Sequence, residues 1–432
     1  MSTTASRPGG PAVLFMGDLV IVARQLRLIS EAHRRGFAPL LVITPDTDPD
    51  RFAELRADPE HPLSLLTDVV LVQDATVDLV FPAVQPWLRR YDVQAVLCIG
   101  DLFVEPVGLL AACLNLPGGG AGASRICRNK LLQRTVAPDL SPAFEVVPPD
   151  GRDRVDADRF DYPVVVKPTS LFSSLGVRQV KRPEQLAEEL TTYPAGETVL
   201  IESRVVGPEF SVEALAQNGE VIWAGVTAKD TNESTGIFFT EMGHTSPAPI
   251  PDGETKVLIE ANAEVLRRLG FRDGISHAEF RLTQDRAVLM EIAARLPGDG
   301  ITFLWELATG QPLEPVMLDL ALGVPTSYPP PRRRACQVYL DHRHGRLRDV
   351  TSTGAPVSWV TRDERWPSFE PVGPDEPARA CAVVVTKRVG DELGPQTDST
   401  ARSASVIFDA PFDAPVEPLI KAFESEVAVH ID

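Results

Sequence analysis

The feature that most constrains the fold is a pair of short alternating runs near the middle of the chain, each of which contains a glutamate. The runs cover residues 274–282 and 287–295, and their alternation of apolar and polar residues predicts two antiparallel strands. A three-residue loop at 284–286 would pair Glu279 with Glu291. Side chains at paired positions lie about 5 Å apart on one face of a sheet, where like charges repel.

The repulsion between these two glutamates indicates a cation site. At an effective dielectric constant of about 20 it amounts to about 3 kcal/mol, and a divalent cation bound between the carboxylates would turn it into attraction. The alternative is that both side chains lie on a solvated face of the sheet. Arg295, four residues after the second glutamate, favours a site for Mg2+ and phosphate.

A phosphate-binding segment is predicted upstream, where a short apolar strand ends in a lysine. Residues 162–168 read Tyr-Pro-Val-Val-Val-Lys-Pro, and a hydroxyl-rich turn follows at 169–177. The ammonium group of Lys167 is a point charge suited to phosphate oxygens. Backbone N–H groups and three serine hydroxyls of the turn could donate hydrogen bonds to the same oxygens. These serines are Ser170, Ser173 and Ser174.

A third segment contains two apolar strands that are separated by a break at Gly207-Pro208, which predicts a hinge. With this segment in place, the order of motifs over residues 125–325 resembles that of the ATP-grasp superfamily. The motifs are Lys130, the strand that ends at Lys167, Glu202 with Glu209, His277-Ala-Glu279-Phe280, and Glu291-Ile-Ala-Ala-Arg295.

Within that superfamily, the chain resembles the L-amino acid ligase (dipeptide synthetase) branch. The resemblance is carried by residues 226–247, which include Glu241 and His244, and by the end of the hairpin at 295–298. Two further segments, near residues 100 and 390, also resemble that branch. The similarity therefore extends along most of the chain.

The resemblance implies a binding site for ATP. Lys130 and Lys167 would contact its phosphates, and the turn at 169–177 would close over them. The backbone after Glu202 would read the adenine edge, and Glu209 would bind the ribose hydroxyls. The residues assigned to ATP binding are Lys130, Lys167, Ser173, Ser174, Glu202, Ser203, Val205 and Glu209.

The resemblance also implies a magnesium site. Glu279 and Glu291 would hold one or two Mg2+ ions, which Mn2+ could replace, against the β- and γ-phosphates. Many members of the superfamily carry Asn two residues after the second glutamate. Ala293 stands there in this chain, as it does in part of the ligase branch, so the coordination of a second ion is left open.

The implied reaction joins a small-molecule carboxylate to an amine, and amino acids are the expected substrates. The carboxylate attacks the γ-phosphate to give an acylphosphate and ADP, and the amine then displaces phosphate to form an amide or peptide bond. Arg295 is assigned to the developing phosphate and oxyanion, because its planar fork suits two oxygens. A salt bridge to Glu291 is the alternative.

Several further residues are assigned to the substrates. Glu241 would bind a substrate ammonium, while His244 would assist removal of a proton from the attacking amine or would only bond the loop backbone. Asp299 would select a cationic or amino-bearing second substrate. For Glu105 a helix cap or a solvent-facing position is an equal alternative. His277 shares the hairpin face with Glu279, so it would support the metal site or would simply pack. The substrate assignments are Glu105, Glu241, His277, Gly298 and Asp299.

Composition excludes several other classes of protein. The formal net charge of −18 disfavours binding to nucleic acid or to an anionic membrane. No apolar run approaches the length of a membrane span. Five cysteines without paired spacing predict free thiols in a reducing compartment. We therefore expect a cytoplasmic enzyme with no nucleic-acid or membrane partner, and the resemblance implies a homodimer.

The expected architecture is an ATP-grasp fold that combines α/β and α+β parts. Short apolar runs between helical stretches predict a parallel α/β domain at 1–125. An ATP-grasp domain is expected at 126–330, with a small lid subdomain at about 140–205. A β-rich extension at 331–432 would complete the large ATP-grasp subdomain.

Two other functions stay open at this point. An ATP-grasp carboxylase would use the same metal hairpin to make carboxyphosphate from bicarbonate, although this chain has no Met-Lys-Met biotinyl site. A nucleotide-binding regulator that has lost catalysis is the second alternative. The charged ATP and metal positions are all present, which disfavours it.

Overall fold

The first part of the chain forms a parallel sheet with helices on its faces. The computed structural model describes residues 8–45, 48–171, 174–234, 238–284 and 286–432. The strands pair in the order third, second, first, fourth, all in parallel. A strand that is covered on both faces is apolar along its whole length. Residues 12–16 are all apolar and buried. The elements are β1 (Pro11–Met16), β2 (Ala38–Ile43), β3 (Asp68–Leu71) and β4 (Asp92–Cys98), with α1 (Leu19–Val22), α2 (Leu26–Arg34), α3 (Pro49–Ala57), α4 (Val77–Arg90) and α5 (Val104–Cys113).

Two short helices, α6 (Ala121–Cys127) and α7 (Lys130–Val136), lead into a second sheet, which we call the lid sheet. Its strands are all antiparallel to their neighbours. Their pairing places Lys167 and Glu202 on the same face, because Val165 lies opposite Glu202. The lid sheet has the order β5-β8-β6-β7 and consists of β5 (Phe144–Val147), β6 (Val164–Pro168), β7 (Arg178–Val180) and β8 (Val199–Ser203), with α8 (Pro183–Thr191) packed on it.

The largest sheet has nine strands and draws them from two distant parts of the chain. The first part supplies β9 (Glu209–Gln217), β10 (Glu220–Thr231), β11 (Glu241–Ser246), β12 (Gly274–Leu282) and β13 (Ala287–Ala293). The second part supplies β14 (Arg333–Tyr339), β16 (Val357–Trp359), β17 (Arg379–Val385) and β19 (Ala404–Pro411). The order is β13-β12-β9-β10-β11-β14-β19-β17-β16. The strands after residue 331 therefore continue the sheet that carries the glutamate hairpin.

The remaining elements cover this sheet or extend it. Residues of α10 pack against the C-terminal strands, and those of α9 pack beneath β12 and β13. Within the described ranges, no helix has the length and apolar character that a membrane span requires. The domain boundaries near residues 125 and 330 stay predictions. These elements are α9 (Asp252–Leu269), α10 (Ile301–Thr309), α11 (Glu314–Leu322), α12 (Val360–Asp363), α13 (Val416–Glu424), and a small sheet of β15 (Gly345–Ser352), β18 (Glu392–Leu393) and β20 (Val427–Ile431).

The hairpin of β12 and β13 pairs Glu279 with Glu291, which confirms the predicted pairing. The loop prediction is wrong by one residue, because Leu282 pairs with Ala287 and the loop covers 283–286; Asp285 within it lies outside the described residues. The register shifts after Glu279, where β13 contains one extra residue. This β-bulge compensates for the longer loop and restores the glutamate pair.

Candidate active site

A cleft of about 1210 Å³ lies between the three large structural units. Its walls come from the lid sheet, from the glutamate hairpin and its neighbouring strands, and from loops at the carboxyl ends of the N-terminal parallel strands. The carboxyl ends of parallel strands are where open α/β sheets bind ligands. Most of the assigned residues line this cleft, among them Lys130, Lys167, Glu209, Glu241, Glu279 and Glu291.

The two assigned lysines meet at one end of the cleft. Lys130 is the first residue of α7, and its Nζ lies 3.0 Å from Glu291 Oε1 and donates to the carbonyl oxygen of Leu171 at 2.6 Å. Lys167 Nζ lies 2.8 Å from Glu202 Oε2. Both lysines are buried. Elements distant in sequence thus bring two ammonium groups together beside the hairpin.

Burial lowers the pKa of Lys167 to about 8, and the nearby guanidinium of Arg134 adds to this effect. Glu202 is held between these two cations, since Arg134 Nε lies 2.7 Å from its Oε1. Burial opposes ionisation of Glu202, but the two cations hold its pKa below the usual value. The side chain of Glu202 therefore anchors Lys167, whereas the residues after it, Ser203 and Val205, line the cleft.

The turn after β6 is fixed by a carboxylate that the sequence analysis did not single out. Glu197 accepts hydrogen bonds from the backbone nitrogens of Thr169 and Ser170 at 2.8 and 3.0 Å, and from the Ser170 hydroxyl at 2.6 Å. The prediction that the Ser170 hydroxyl donates to phosphate is wrong in this conformation, because that hydroxyl donates its hydrogen bond to Glu197. Ser174 lines the cleft, while Ser173 lies outside the described residues.

Lys229 on β10 occupies the centre of the acidic side of the cleft. Its Nζ lies 2.6 Å from Glu279 Oε1 and 3.8 Å from Glu209 Oε1, and it also forms an ion pair with Glu241. Burial opposes its charge, but the three carboxylates raise its pKa well above the usual value. Sequence reasoning assigned it no role, although a lysine inside an apolar strand was a usable signal.

Glu209 and His277 also have protein partners. Glu209 Oε2 accepts from Arg281 at 2.8 Å. His277 Nδ1 lies 2.8 Å from Glu213 Oε1, and its Nε2 lies 3.3 Å from Glu279 Oε1. Both ring nitrogens of His277 are therefore engaged with carboxylates. His277 therefore lines the cleft and contacts Glu279, the contact that a supporting role at the metal site requires. Its assignment to substrate stays a prediction.

The carboxylates of the hairpin fit a magnesium ion. Glu279 and Glu291 lie opposite each other in the hairpin. The neighbouring cluster of Glu209, Glu241 and Glu279, whose oxygens lie within 4.8 Å of one another, already surrounds Lys229. In the described part of the chain, the hydrogen bonds of Glu279 and Glu291 all use Oε1, so Oε2 of each is left for a cation. Hard carboxylate oxygens are the ligands that Mg2+ prefers.

Arg295 is paired with an aspartate from the N-terminal sheet. Its Nη2 lies 2.5 Å from Asp101 Oδ2, and its Nη1 donates to the carbonyl oxygen of Leu296 at 2.6 Å. The salt bridge to Glu291, which was the alternative, does not appear among the ion pairs of the described residues. Burial opposes ionisation of Asp101, but Arg295 holds its pKa below the usual value.

Glu105 lies away from the cleft. Its carboxylate forms an ion pair with the largely exposed Arg125, so its assignment to substrate is wrong. Asp101 takes the expected place, four residues earlier and directly after the carboxyl end of β4. A short 3-10 turn at Asp101–Phe103 precedes α5, which begins at Val104. This additional turn is the reason that Asp101, and not Glu105, lies at the cleft.

Asp299 lies between two partners, and neither of them is substrate. His244 Nε2 lies 2.7 Å from Oδ2, and Arg402 donates to Oδ1 at 2.7 Å and to Oδ2 at 2.9 Å. Arg402 already neutralises Asp299 in this structure, so the selection of a cationic substrate by Asp299 stays a prediction that these contacts do not support. Nothing in the sequence near Arg402 signalled this contact.

His244 and Glu241 are also committed within the protein. With Nε2 on Asp299, the other ring nitrogen of His244, Nδ1, is buried without a hydrogen-bond partner among the described residues. In this conformation His244 holds Asp299 and has no nitrogen directed at a substrate amine. Glu241 faces the cleft with Lys229 as its partner, so a substrate ammonium would share that carboxylate. Gly298 lines the cleft beside Asp299.

Comparison with known proteins identifies the fold. Residues 160–303 match the family model described as the ATP-grasp domain. The structure superimposes on the crystal structure of L-amino acid ligase from Bacillus licheniformis with a TM-score of 0.75 and 18% identity, over 99% of this chain and 100% of that one. At this identity the match establishes the fold alone.

Sequence relatives cover part of the chain. Alanine–anticapsin ligase of Bacillus subtilis is 26% identical over 280 residues, which is 58% of each chain. D-alanine–D-alanine ligase of Corynebacterium aurimucosum is 28% identical over 216 residues, 47% of this chain and 58% of the relative. The chain spans about half the length of the curated relatives that it matches.

Proposed function

Because the chain has the ATP-grasp fold and carries an ATP-grasp domain at residues 160–303, we propose that it is an ADP-forming carboxylate–amine ligase. It would form an amide or peptide bond through an acylphosphate and would use ATP with Mg2+, or Mn2+ in its place. The substrates would be small molecules, an L-amino acid and a second amino acid or amine. A role in specialised metabolism, a cytoplasmic location and a homodimer belong to the same proposal.

One observation carries this proposal: the residues that we assign to the phosphates, to the metal ion and to the oxyanion lie next to one another in a single cleft. Lys130 and Lys167 lie at one end, the Glu279–Glu291 pair is next, and Arg295 follows from the end of the same hairpin. The names of the relatives support the same class, since the two described above are ligases that join amino acids.

The first half of the reaction activates the carboxylate. Lys130 and Lys167 would bind the phosphate oxygens, and the residues after Glu202 would position the nucleotide. Glu279 and Glu291 would hold Mg2+, which would neutralise part of the negative charge of the phosphates. A substrate carboxylate oxygen attacks the γ-phosphorus, and the bond to the β-phosphate oxygen breaks to release ADP. Lys229 offsets one negative charge of the acidic cluster, which lowers the repulsion of the two anions that approach it.

The second half forms the C–N bond. The amine nitrogen attacks the acyl carbon, the bond from that carbon to the phosphate oxygen breaks, and the proton that the nitrogen loses leaves with the phosphate. Arg295 has a planar fork that suits both the tetrahedral oxyanion and the departing phosphate. Asp101 fixes that fork at 2.5 Å. Glu241 would hold the ammonium of a substrate amino acid, and His244 would act as a positioning residue through Asp299.

The test is phosphate release from ATP and Mg2+ with single L-amino acids and with all pairs, while product masses are followed. We expect release that depends on a pair, with a product mass equal to the two substrates minus water. Glu291→Gln should abolish release, whereas Glu260→Gln, at an exposed position of α9, should not alter it.

Two results would contradict the proposal. Release that needs bicarbonate and no amino acid would identify a carboxylase. Firm ATP binding without release for any pair would identify a regulator.

A further inference from the structure

Arg24 extends from the turn between α1 and α2 into the far end of the cleft. Its Nη1 donates to the carbonyl oxygen of Asp299 at 3.4 Å, and it lies 4.0 Å from the point that a Cβ on Gly298 would occupy. The guanidinium also stands 5.8 Å from the ring centre of Trp366. The N-terminal sheet therefore contributes a cation to the loop that directly follows Arg295.

Arg24 differs from the neighbouring arginines in its pairing. Arg295 is matched by Asp101. Asp299 attracts the charge of Arg24, but its carboxylate is already paired with Arg402. Among the residues that the structure describes, no carboxylate forms an ion pair with Arg24. Burial lowers the pKa of Arg24; Asp299 opposes this effect, and the guanidinium groups of Arg295 and Arg402 add to it. A partly desolvated guanidinium with five donors and one long hydrogen bond favours an anionic ligand.

The position of Arg24 separates this anion site from the phosphate site. The phosphates are assigned to Lys130 and Lys167, which contact Glu291 and Glu202 in the lid half of the cleft. Arg24 has its contacts at Asp299 and Trp366 instead. The adjoining wall is apolar, with Ile21 and the buried Trp366. An organic carboxylate with an apolar side chain fits this end better than inorganic phosphate does.

We infer that Arg24 binds the free carboxylate of the amine-bearing substrate, and this inference rests on the proposed ligase function. Of the two carboxylates present when two amino acids react, one is activated and loses an oxygen to phosphate. The other remains charged throughout and needs a cation that takes no part in the chemistry. A site at Arg24 makes that substrate an amino acid rather than a simple amine.

The test compares acceptors that differ only in that charge. L-alanine, L-leucine and L-phenylalanine would each be offered as the free acid and as the carboxamide, with each L-amino acid as the donor. We expect the wild type to favour the acid by about 10- to 100-fold in kcat/KM, the range for a hydrogen bond to a charged group. Arg24→Gln should raise KM for the acid by the same factor and bring the preference close to one.

Controls separate a lost carboxylate contact from a damaged protein. KM for ATP should stay unchanged in Arg24→Gln, and Arg24→Lys should recover part of the preference for the acid. Arg388→Gln removes a largely exposed arginine at the rim of the same cleft and should keep the full preference.

The possible failures are distinguishable. A wild type that uses acid and carboxamide equally, or an Arg24→Gln protein that keeps the preference, overturns the inference while the ligase proposal stands. A wild type that forms no amide with any pair overturns both.

Discussion

At the scale of single residues, the acidic cluster depends on one buried lysine. Lys229 has three carboxylates around it, and its side chain is only 1% exposed. Its folded-state pKa is raised above the unfolded value, so its contribution to stability is fully present below the unfolded value and is lost only as the pH rises through the folded one. At neutral pH the protein therefore has the whole of this contribution.

We expect Lys229→Met to destabilise the protein by about 3 kcal/mol at pH 8, the lower end of the range for breaking a buried ion pair, because three half-buried carboxylates lose the cation that they share. Those carboxylates would have raised pKa values in the folded variant, so the loss should be smaller at pH 5, where protons replace the lysine. Urea unfolding at both pH values measures this. Lys256→Met, at an exposed position, serves as control. An equal loss at both pH values would contradict the electrostatic explanation.

For Lys167 we expect the contribution to stability to depend on pH with the opposite sign. Its pKa is lowered to about 8 from 10.5, so the unfolded chain binds more protons between these values and the contribution of Lys167 to the free energy of unfolding rises with pH in that window. Binding of ATP should weaken in the same window, by up to about tenfold per pH unit, because the lysine loses its charge.

Lys167→Arg should remove this alkaline weakening, since arginine stays protonated. Titration of ATP affinity from pH 7 to 9.5 measures the slope in each protein. Lys181→Arg, at an exposed lysine of the lid, should keep the wild-type slope. If the affinity of Lys167→Arg for ATP falls with pH as that of the wild type does, another group causes the alkaline weakening.

At the scale of elements, Glu197 holds the turn that follows β6. It accepts four hydrogen bonds from Thr169 and Ser170, and the carbonyl of the next residue, Leu171, accepts from Lys130. The turn thereby connects the lid sheet to α7. Because these bonds are local to the turn, their loss should affect nucleotide binding more than global stability.

We expect Glu197→Ala to raise KM for ATP by about tenfold, from the loss of hydrogen bonds to a charged group. Amide hydrogen exchange should accelerate in residues 169–171 and stay unchanged in the nine-stranded sheet. Glu184→Ala, a largely exposed position on the same lid, is the matched control. Unchanged exchange in the turn would show that Glu197 does not hold it.

The same scale shows which parts of the site can be predicted from sequence. Alternation within two adjacent runs predicted the Glu279–Glu291 pair, because strand pairing across a short loop is a local property. No sequence pattern indicated the bulge in β13. Arg295 and Asp101 are 194 residues apart, and Arg402 and Asp299 are 103 apart. Their pairing depends on how the sheets pack together, which residue patterns do not contain.

At the scale of the whole molecule, the nine-stranded sheet binds the two ends of the fold together. Phe303, Leu304 and Leu307 of α10 pack against residues from β14, β17 and β19. The edge of β11 is paired with β14 from Gly243 to Ser246. Without these strands, apolar side chains and a long strand edge would be exposed, a combination that favours aggregation.

We expect a chain that stops at residue 331 to be insoluble or to lack cooperative unfolding, as measured by size-exclusion chromatography and thermal denaturation. Coexpression of residues 332–432 as a separate chain should restore solubility, because the missing strands can still pair with β11. A soluble monomer of residues 1–331 that binds ATP would contradict this expectation.

The ion pair of Arg402 with Asp299 has a consequence for synthesis in the cell. A nascent chain acquires both hairpin glutamates, Lys130 and Lys167 long before residue 402 has been translated. Until then, the carboxylate of Asp299 lacks its ion pair with Arg402 and keeps the contact with His244. The ribosome therefore completes the Lys130–Glu291 end of the cleft first and the Asp299 end last.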